Sequence, residues 1–416
     1  MRSAGGQRVT GSAQAVRTSA GSAAAVTAAG FAANLLSYAV LLAAVHALSP
    51  SGYGQIVVLL NVLLVGTVPS FAVQTVTARR VAVGDTAGTA RATAVVALVA
   101  SGLVIALSPA LTAFLHLSHA GDLLLVGAAL PGVTALGMYQ GILQGQRRFA
   151  RLAAVLVLGA VGRSGFGLIG LLAGHGTTLT LAGTVGGTTA CAILVGVRLR
   201  GILVAGRPGG PLREIAHALH AHGTFWFLST LDLLLARHVL SSHLAAVYAT
   251  GSVVTRAALW LPQSVATLVF AHLTDAERHG RLLRRALAVV AGVGALVIAG
   301  TAAMPALVAK VVGGGRYPEL VPFCWLFATL GAALAVLQLG MVAGLALRRT
   351  RQTIVLWTAV AADSVLVLSS SPPVSIGRVI GPVVATTVVA AAASVLLSAA
   401  RLPQRQLAAA GQAAGT

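Results

Sequence analysis

Charge is what this chain has least of. Asp, Glu, Lys and Arg make up 9% of its 416 residues, against about 25% in a soluble domain. That excludes a string of ordinary water-soluble domains. Acids are the scarcer sign, with eight Asp and Glu in total. No paired carboxylates, nucleophile–base constellation or metal-ligating cluster can be assembled, so no enzyme activity, metal or cofactor is expected. Cysteine is almost missing. Cys191 and Cys324 lie in apolar runs without metal spacing and read as small packing residues. Lysine occurs once, at Lys310, against 27 Arg; with abundant Ala and Gly this points to a GC-rich bacterial genome. Ten-residue stretches of alternating polarity are also lacking, which excludes a transmembrane β-barrel.

What the chain does have is long apolar runs punctuated by arginines. It is 57% hydrophobic, with a mean hydropathy of +0.91. One crossing needs roughly 20 apolar residues. On that measure the runs give twelve helical spans, approximately 22–47, 55–78, 92–115, 121–143, 152–173, 178–198, 217–240, 244–271, 286–309, 320–346, 353–370 and 377–400. Basic residues cluster at every second junction. The clusters are Arg2 to Arg17, Arg79 to Arg91, Arg147 to Arg151, Arg198 to Arg213, Arg278 to Arg285, Arg348 to Arg351, and Arg401 with Arg405. The junctions between them hold only Lys310 and Arg316. Positive charge flanks the cytoplasmic ends of membrane helices. A multi-pass protein of the bacterial cell membrane with both termini cytoplasmic is therefore expected. The net charge of +20 is spread over one membrane face, so anionic lipids, not nucleic acid, are its expected partners. The apolar stretch from about Ala20 to Leu48 is longer than a signal-peptide core and is followed by more spans, so it reads as a first span.

The longest connection, 198–214, contains Arg207-Pro-Gly-Gly-Pro211 and reads as a flexible linker. It sets the expected organisation: an N-terminal arm 1–21, a six-helix lobe 22–198, a linker 199–216, a second six-helix lobe 217–400 and a tail 401–416. An even number of spans per half gives both halves the same orientation, related by an axis along the membrane normal. A weak repeat fits this. Leu48-Ser49, Tyr53 and Pro69 recur as Leu240-Ser241, Tyr248 and Pro262, at offsets of 192, 195 and 193.

Particular segments resemble a known family. They are Leu48-Ser-Pro-Ser-Gly-Tyr-Gly-Gln55, Gln74-Thr-Val-Thr-Ala-Arg-Arg80, Tyr139-Gln-Gly-Ile-Leu-Gln-Gly-Gln-Arg-Arg-Phe149, and Leu231-Asp-Leu-Leu-Leu-Ala-Arg-His238 followed by Tyr248-Ala-Thr-Gly. The chain resembles the polysaccharide repeat-unit flippases of the multidrug/oligosaccharidyl-lipid/polysaccharide (MOP) exporter superfamily, most weakly after about Arg351. The resemblance implies an all-α polytopic membrane protein whose two six-helix lobes form a MATE-like V around a central cavity. It implies alternating-access transport of polyprenyl-pyrophosphate-linked oligosaccharide from the inner to the outer leaflet for surface polysaccharide assembly. A proton or sodium gradient is then the candidate driving source, and polysaccharide-assembly proteins are candidate partners. Some relatives carry two further C-terminal helices that this sequence does not show, which favours repeat-unit cargo over lipid II.

Ionisable groups inside spans are the candidate site residues, since each costs roughly 2.5–3.5 kcal/mol to insert near the bilayer centre. Arg163 and Arg256 each lie twelve residues into a span. A guanidinium fork matches phosphate oxygens and keeps its charge, so one Arg from each lobe could hold a pyrophosphate. The alternative is that each is absorbed by helix packing. Asp232 either binds a coupling ion or is the counter-ion of Arg256, and the ion pair is the favoured reading. Asn34, Ser37, Tyr38, Asn61 and Gln74 offer hydrogen bonds to sugars or to other helices. Arg237 and His238 are expected to reach lipid headgroups. His217, His220 and His222 are expected on a solvated face, and Asp363 has no legible partner.

Two competing classes are weighed against this. A MATE-like small-molecule exporter carrying cations would want acids, and the interior of the first six spans has none. A membrane glycosyltransferase or polymerase would want a structured external loop or an acidic group. The external junctions are short and hold only Asp122 and Glu319.

Overall fold

The computed structural model describes residues 4–174, 176–199, 211–270, 279–346, 351–370 and 374–399. Among them every regular element is helical. The first half contains α1 (Ala4–Ala47), α2 (Pro50–Gly66), α3 (Val68–Ala82), α4 (Thr89–Phe114) and α5 (Gly121–Gly145). It continues with α6 (Phe149–Ala160), a π-helical turn (Val161–Gly165), α7 (Phe166–Gly174) and α8 (Thr177–Leu199). The second half contains α9 (Leu212–Val239), α10 (Ser242–Phe270), α11 (His279–Ala303) and the short α12 (Pro305–Gly313). A 3-10 turn (Pro318–Phe323) then leads into α13 (Cys324–Ala346), α14 (Arg351–Leu368) and α15 (Ile376–Ala399).

With α2–α3 and α6–α7 each taken as one broken span, all twelve expected spans have a helix. Nine helices among the described residues are long and apolar enough to cross a membrane. The remaining expected spans correspond to α9, α10 and α14; α9 and α10 carry buried polar groups of the site, and α14 has 18 residues. The chain is thus an all-α multi-pass membrane protein. Several boundaries differ from expectation. The segment expected as an arm is helical from Ala4 and continuous with the first span. Residues 200–210 of the linker and the tail 401–416 lie outside the described residues. The junction expected as a loop from Lys310 to Glu319 contains the end of α12 and the start of the 3-10 turn, joined through Gly314 and Gly315 at φ +60° and +76°.

Local sequence explains the element ends. Ser49 caps α2, its Oγ accepting from Gly52 N–H at 3.2 Å. Ser241 repeats the cap on α10, accepting from Leu244 N–H at 3.4 Å. Both bonds span three residues, as a capping serine requires, and they fall at the offset of the sequence repeat. Tyr53 and Tyr248 are both fully buried, so the two hairpins match in caps and in core aromatics. Pro69 lacks the N–H that would continue the ladder, and the helix breaks at Thr67 between α2 and α3.

In the first half, α5 packs against α3, α4 and α8; in the second, α13 packs against α10, α11 and α15. The halves meet where α2 and α3 lie against α9 and α10, and where α1 touches α10 and α12. The arginine clusters fall at alternate helix ends, which defines a basic end of the bundle. There Arg79 and Arg80 of α3 pair with Glu214 of α9 at 2.7 and 3.2 Å.

Sidedness can be read with introduced thiols, because Cys191 and Cys324 are both buried. Ser51→Cys, at the opposite end, should react with a membrane-impermeant maleimide in intact cells. Arg91→Cys, at the basic end, should react only after the cells are opened. The reverse pattern would invert the expected topology.

Candidate functional site

Between the halves lies a small cavity of about 90 Å³. α1 contributes Ser37 and Tyr38, α2 contributes Asn61, the π turn contributes Arg163 and Ser164, α8 contributes Thr184, and α10 contributes Arg256 and Trp260. No acid lines it among the described residues. Two of its polar atoms, Tyr38 Oη and Asn61 Oδ1, are buried without a hydrogen-bond partner. Asn61 Nδ2 donates to Val57 O at 2.7 Å, which aims the amide oxygen away from its own helix ladder. Buried polar atoms are nearly always paired, so these two leave hydrogen-bonding capacity unmet at the cavity.

Arg163 reaches the cavity because its helix widens there. π turns insert one residue into an α-helix and favour functional sites. Here the insertion lies between α6 and α7. Arg163 Nη2 approaches Ser37 Oγ at 3.4 Å, and Ser37 Oγ lies 3.1 Å from Ser164 Oγ. The turn can approach α8 because Gly162 faces Gly187: a Cβ added at Gly162 would lie 2.6 Å from both Gly187 O and Cys191 Sγ. Overpacking costs about 1–3 kcal/mol, so Gly162→Val should lower the thermal midpoint in detergent by several degrees. Gly186→Val, whose Cβ meets nothing within 4 Å, should leave it unchanged.

Arg256 stands on α10 one turn before Trp260, and Trp260 meets Tyr38 edge-on with ring centroids 5.8 Å apart. Arg256 makes no ion pair among the described residues, and the expected Asp232–Arg256 bridge is not formed. Asp232 is turned to another neighbour: Tyr248 Oη donates to its Oδ2 at 2.9 Å. The two charges still act on each other through space. Asp363 of α14 gains the partner that sequence could not supply. Thr386 of α15 donates to its Oδ1, while Oδ2 is buried without a partner. Asp232 and Asp363 are 5% and 0% exposed and close enough to interact electrostatically. Asp232, Tyr248, Asp363 and Thr386 thus form a buried polar cluster across α9, α10, α14 and α15. No group of three or more His, Cys, Asp or Glu side chains that could hold a metal exists among the described residues.

Other candidates fall elsewhere. Asn34, one turn from Ser37, does not line the cavity. Gln74 donates to Gln144 Oε1 at 3.3 Å and ties α3 to α5. Asp122 lies within the first turn of α5, buried, and accepts from Thr177 and Thr178 at 3.4 and 2.8 Å. Arg237 and His238 do not serve headgroups. Arg237 is 4% exposed and donates to Leu115 O and His116 O at 2.9 and 3.0 Å, and His238 Nδ1 meets Phe114 O at 2.9 Å. Arg316 likewise donates to Val45 O, Leu48 O and His46 O at 2.8, 3.0 and 3.0 Å. Two arginines of the second half therefore hold the chain ends of α4 and α1 in the first. Sequence reading missed Ser164, Thr184, Trp260 and Thr386. Trp260 had a signal, since it stands four residues after Arg256 and so on the same helix face.

No family model matches the chain, and no curated protein matches it. Solved structures do. One is a MOP superfamily transporter from Pyrococcus furiosus Vc1, in which reverse polarity of the binding pocket suggests a different function. It has a TM-score of 0.63 and 14% identity over 91% of this chain and 95% of its own. A MATE in complex with MaL6 has a TM-score of 0.64 and 13% identity, over 91% and 95%. An inward-facing conformation of a multidrug resistance MATE family transporter of the MOP superfamily has a TM-score of 0.64 and 13% identity, over 89% and 93%. At such identities the likeness is one of fold, and it runs through most of each chain. The chain has the fold of the MATE transporters of the MOP superfamily.

Proposed function

We propose that this protein is an alternating-access exporter of an anionic, lipid-linked oligosaccharide, a polyprenyl-pyrophosphate repeat-unit flippase of the bacterial cell membrane. The observation that carries the reading is the cavity polarity. Arg163 from one half and Arg256 from the other line one space that holds no carboxylate among the described residues. A pyrophosphate between them would accept hydrogen bonds from both forks, while Tyr38 Oη and Asn61 Oδ1 would meet sugar hydroxyls. One similar structure has a pocket of reverse polarity that suggests a different function for that protein. By the same reasoning, the arginines here select an anion. Asp232 and Asp363 supply the drive. Two carboxylates buried among membrane helices need neutralising, and a proton or sodium ion entering beside Asp363 Oδ2 does that. On this reading both termini and the 198–214 linker face the cytoplasm, where the arginine clusters meet anionic lipids. Polysaccharide-assembly proteins would then take the product on the far side.

The test is transport by purified protein in phosphatidylcholine liposomes, with a polyprenyl-pyrophosphate-linked sugar as cargo. Hydrogen bonds to charged groups are worth about 1.5–3 kcal/mol, so Arg256→Ala should slow transport roughly tenfold or more with a thermal midpoint near wild type. A MATE-like small-molecule exporter has its own support in the multidrug MATE fold relative. Cationic drug transport that Arg256→Ala leaves untouched, with no movement of the lipid-linked sugar, would establish that reading instead.

A further inference from the structure

A second basic recess lies on the flank of the first half, away from the cavity. It is a groove of about 540 Å³ between α6 and α8, over the end of α5. Leu143, Ala154, Leu158 and Leu194 form its apolar wall, and Arg151 and Arg198 stand in it at the basic end of the bundle. Ala154 and Leu194 are exposed, so the wall is open to whatever surrounds the protein.

The placement of Arg151 is electrostatically unusual. It is the third residue of α6, and Arg147 and Arg148 precede that helix. A helix N-terminus carries free N–H groups and partial positive charge, and it favours acids. The first turn of α6 has none. Neither Arg151 nor Arg198 has an ion-pair partner among the described residues. Two guanidinium groups and the start of α6 therefore meet at the mouth of an apolar trough, where the C-terminal ends of α5 and α8 carry the opposing partial charge. Guanidinium forks match phosphate oxygens, and the trough suits hydrocarbon. A free phosphate would satisfy the forks but leave the trough unused.

We propose that this groove binds an anionic phospholipid, its phosphate between Arg151 and Arg198 and its acyl chain along Leu143, Leu158 and Leu194. The site goes beyond the exporter reading. It lies outside the transport cavity and would exist whatever the cargo.

Native mass spectrometry of the full chain tests it, with protein released from micelles holding phosphatidylglycerol, phosphatidylcholine or inorganic phosphate. One phosphatidylglycerol should stay bound under activation that strips phosphatidylcholine. The double variant Arg151→Gln/Arg198→Gln should lower that bound population at least tenfold. Ala154→Trp, which fills the trough from an exposed position, should lower it with both arginines intact. Arg91→Gln, at the basic end but outside the groove, should leave it unchanged. Equal retention in the double variant, equal loss in Arg91→Gln, full retention in Ala154→Trp, or displacement of the lipid by inorganic phosphate would each overturn the proposal.

Discussion

An Asp232→Asn protein is expected to fold, insert and exchange cargo downhill, but to lose accumulation of cargo against a gradient. The amide preserves the shape that receives the Tyr248 hydroxyl at 2.9 Å and removes the charge. One charge moving through 100 mV is worth about 2.3 kcal/mol, which is an accumulation of roughly fifty-fold; that factor should fall to about one. Asp363→Asn should do the same, since its free Oδ2 is the open position of the cluster. Neither variant should melt earlier than wild type, because a buried uncompensated charge is being removed. Sodium and proton gradients imposed separately identify the ion. Asp232 and Arg256 form no ion pair but act on each other through space, so Asp232→Asn and Arg256→Ala should show only a small coupling in stability. A pair would instead show mutual rescue. Normal gradient-driven accumulation in both Asn variants would remove the cluster from the coupling role.

The second large effect is expected where the second half holds the first. Arg237 and Arg316 together donate five hydrogen bonds to carbonyls just at or past the ends of α4 and α1. Helix C-termini leave carbonyls unpaired and carry partial negative charge, so a guanidinium there is doubly favoured. If the protein is the exporter proposed above, these contacts break when the cavity opens at that end. Each bond to a charged donor is worth about 1.5–3 kcal/mol, and about 1.4 kcal/mol is a factor of ten in population. Arg237→Ala/Arg316→Ala should therefore raise maleimide labelling of a cysteine at Leu64, which lines the cavity, at least tenfold from that side. Arg316→Lys should fall between, since an ammonium cannot span three carbonyls as a fork does. Unchanged labelling in a well-folded double variant would leave the contacts with a structural role alone.

Much of the fold was legible because the bilayer imposes simple rules on length and charge. Span lengths, alternating arginine clusters and the repeat of Leu48-Ser49 as Leu240-Ser241 each depend on a few neighbouring residues. The convergence of Arg163, Arg256 and Asn61 on one cavity was legible in part, because depth in a span follows from residue number. Azimuth does not. Asp232 was the expected counter-ion of Arg256 yet faces Tyr248. Arg237 lay at the depth of headgroups yet turns to Leu115 and His116, and Asn34 sits one turn from the cavity residues without joining them. Which way a side chain faces is set by contacts between distant helices, as with Asp363 and Thr386. The π turn was illegible for the same reason. Gly162 packs on Gly187, and no local signal distinguishes that glycine from the chain's many others.

The wide turn at Val161–Gly165 also gives this helix a tolerance to length that its neighbours lack. A π turn holds one residue more than the α turn it replaces, while the helix on either side keeps its face. Deleting a single residue between 161 and 165 would restore regular winding with α6 and α7 still seated, but would withdraw the bulge that carries Arg163 to the cavity. The same deletion within α6 or α7 would swing everything beyond it by about 100°. The chain can therefore lose a residue here at least cost to its fold and at greatest cost to its site.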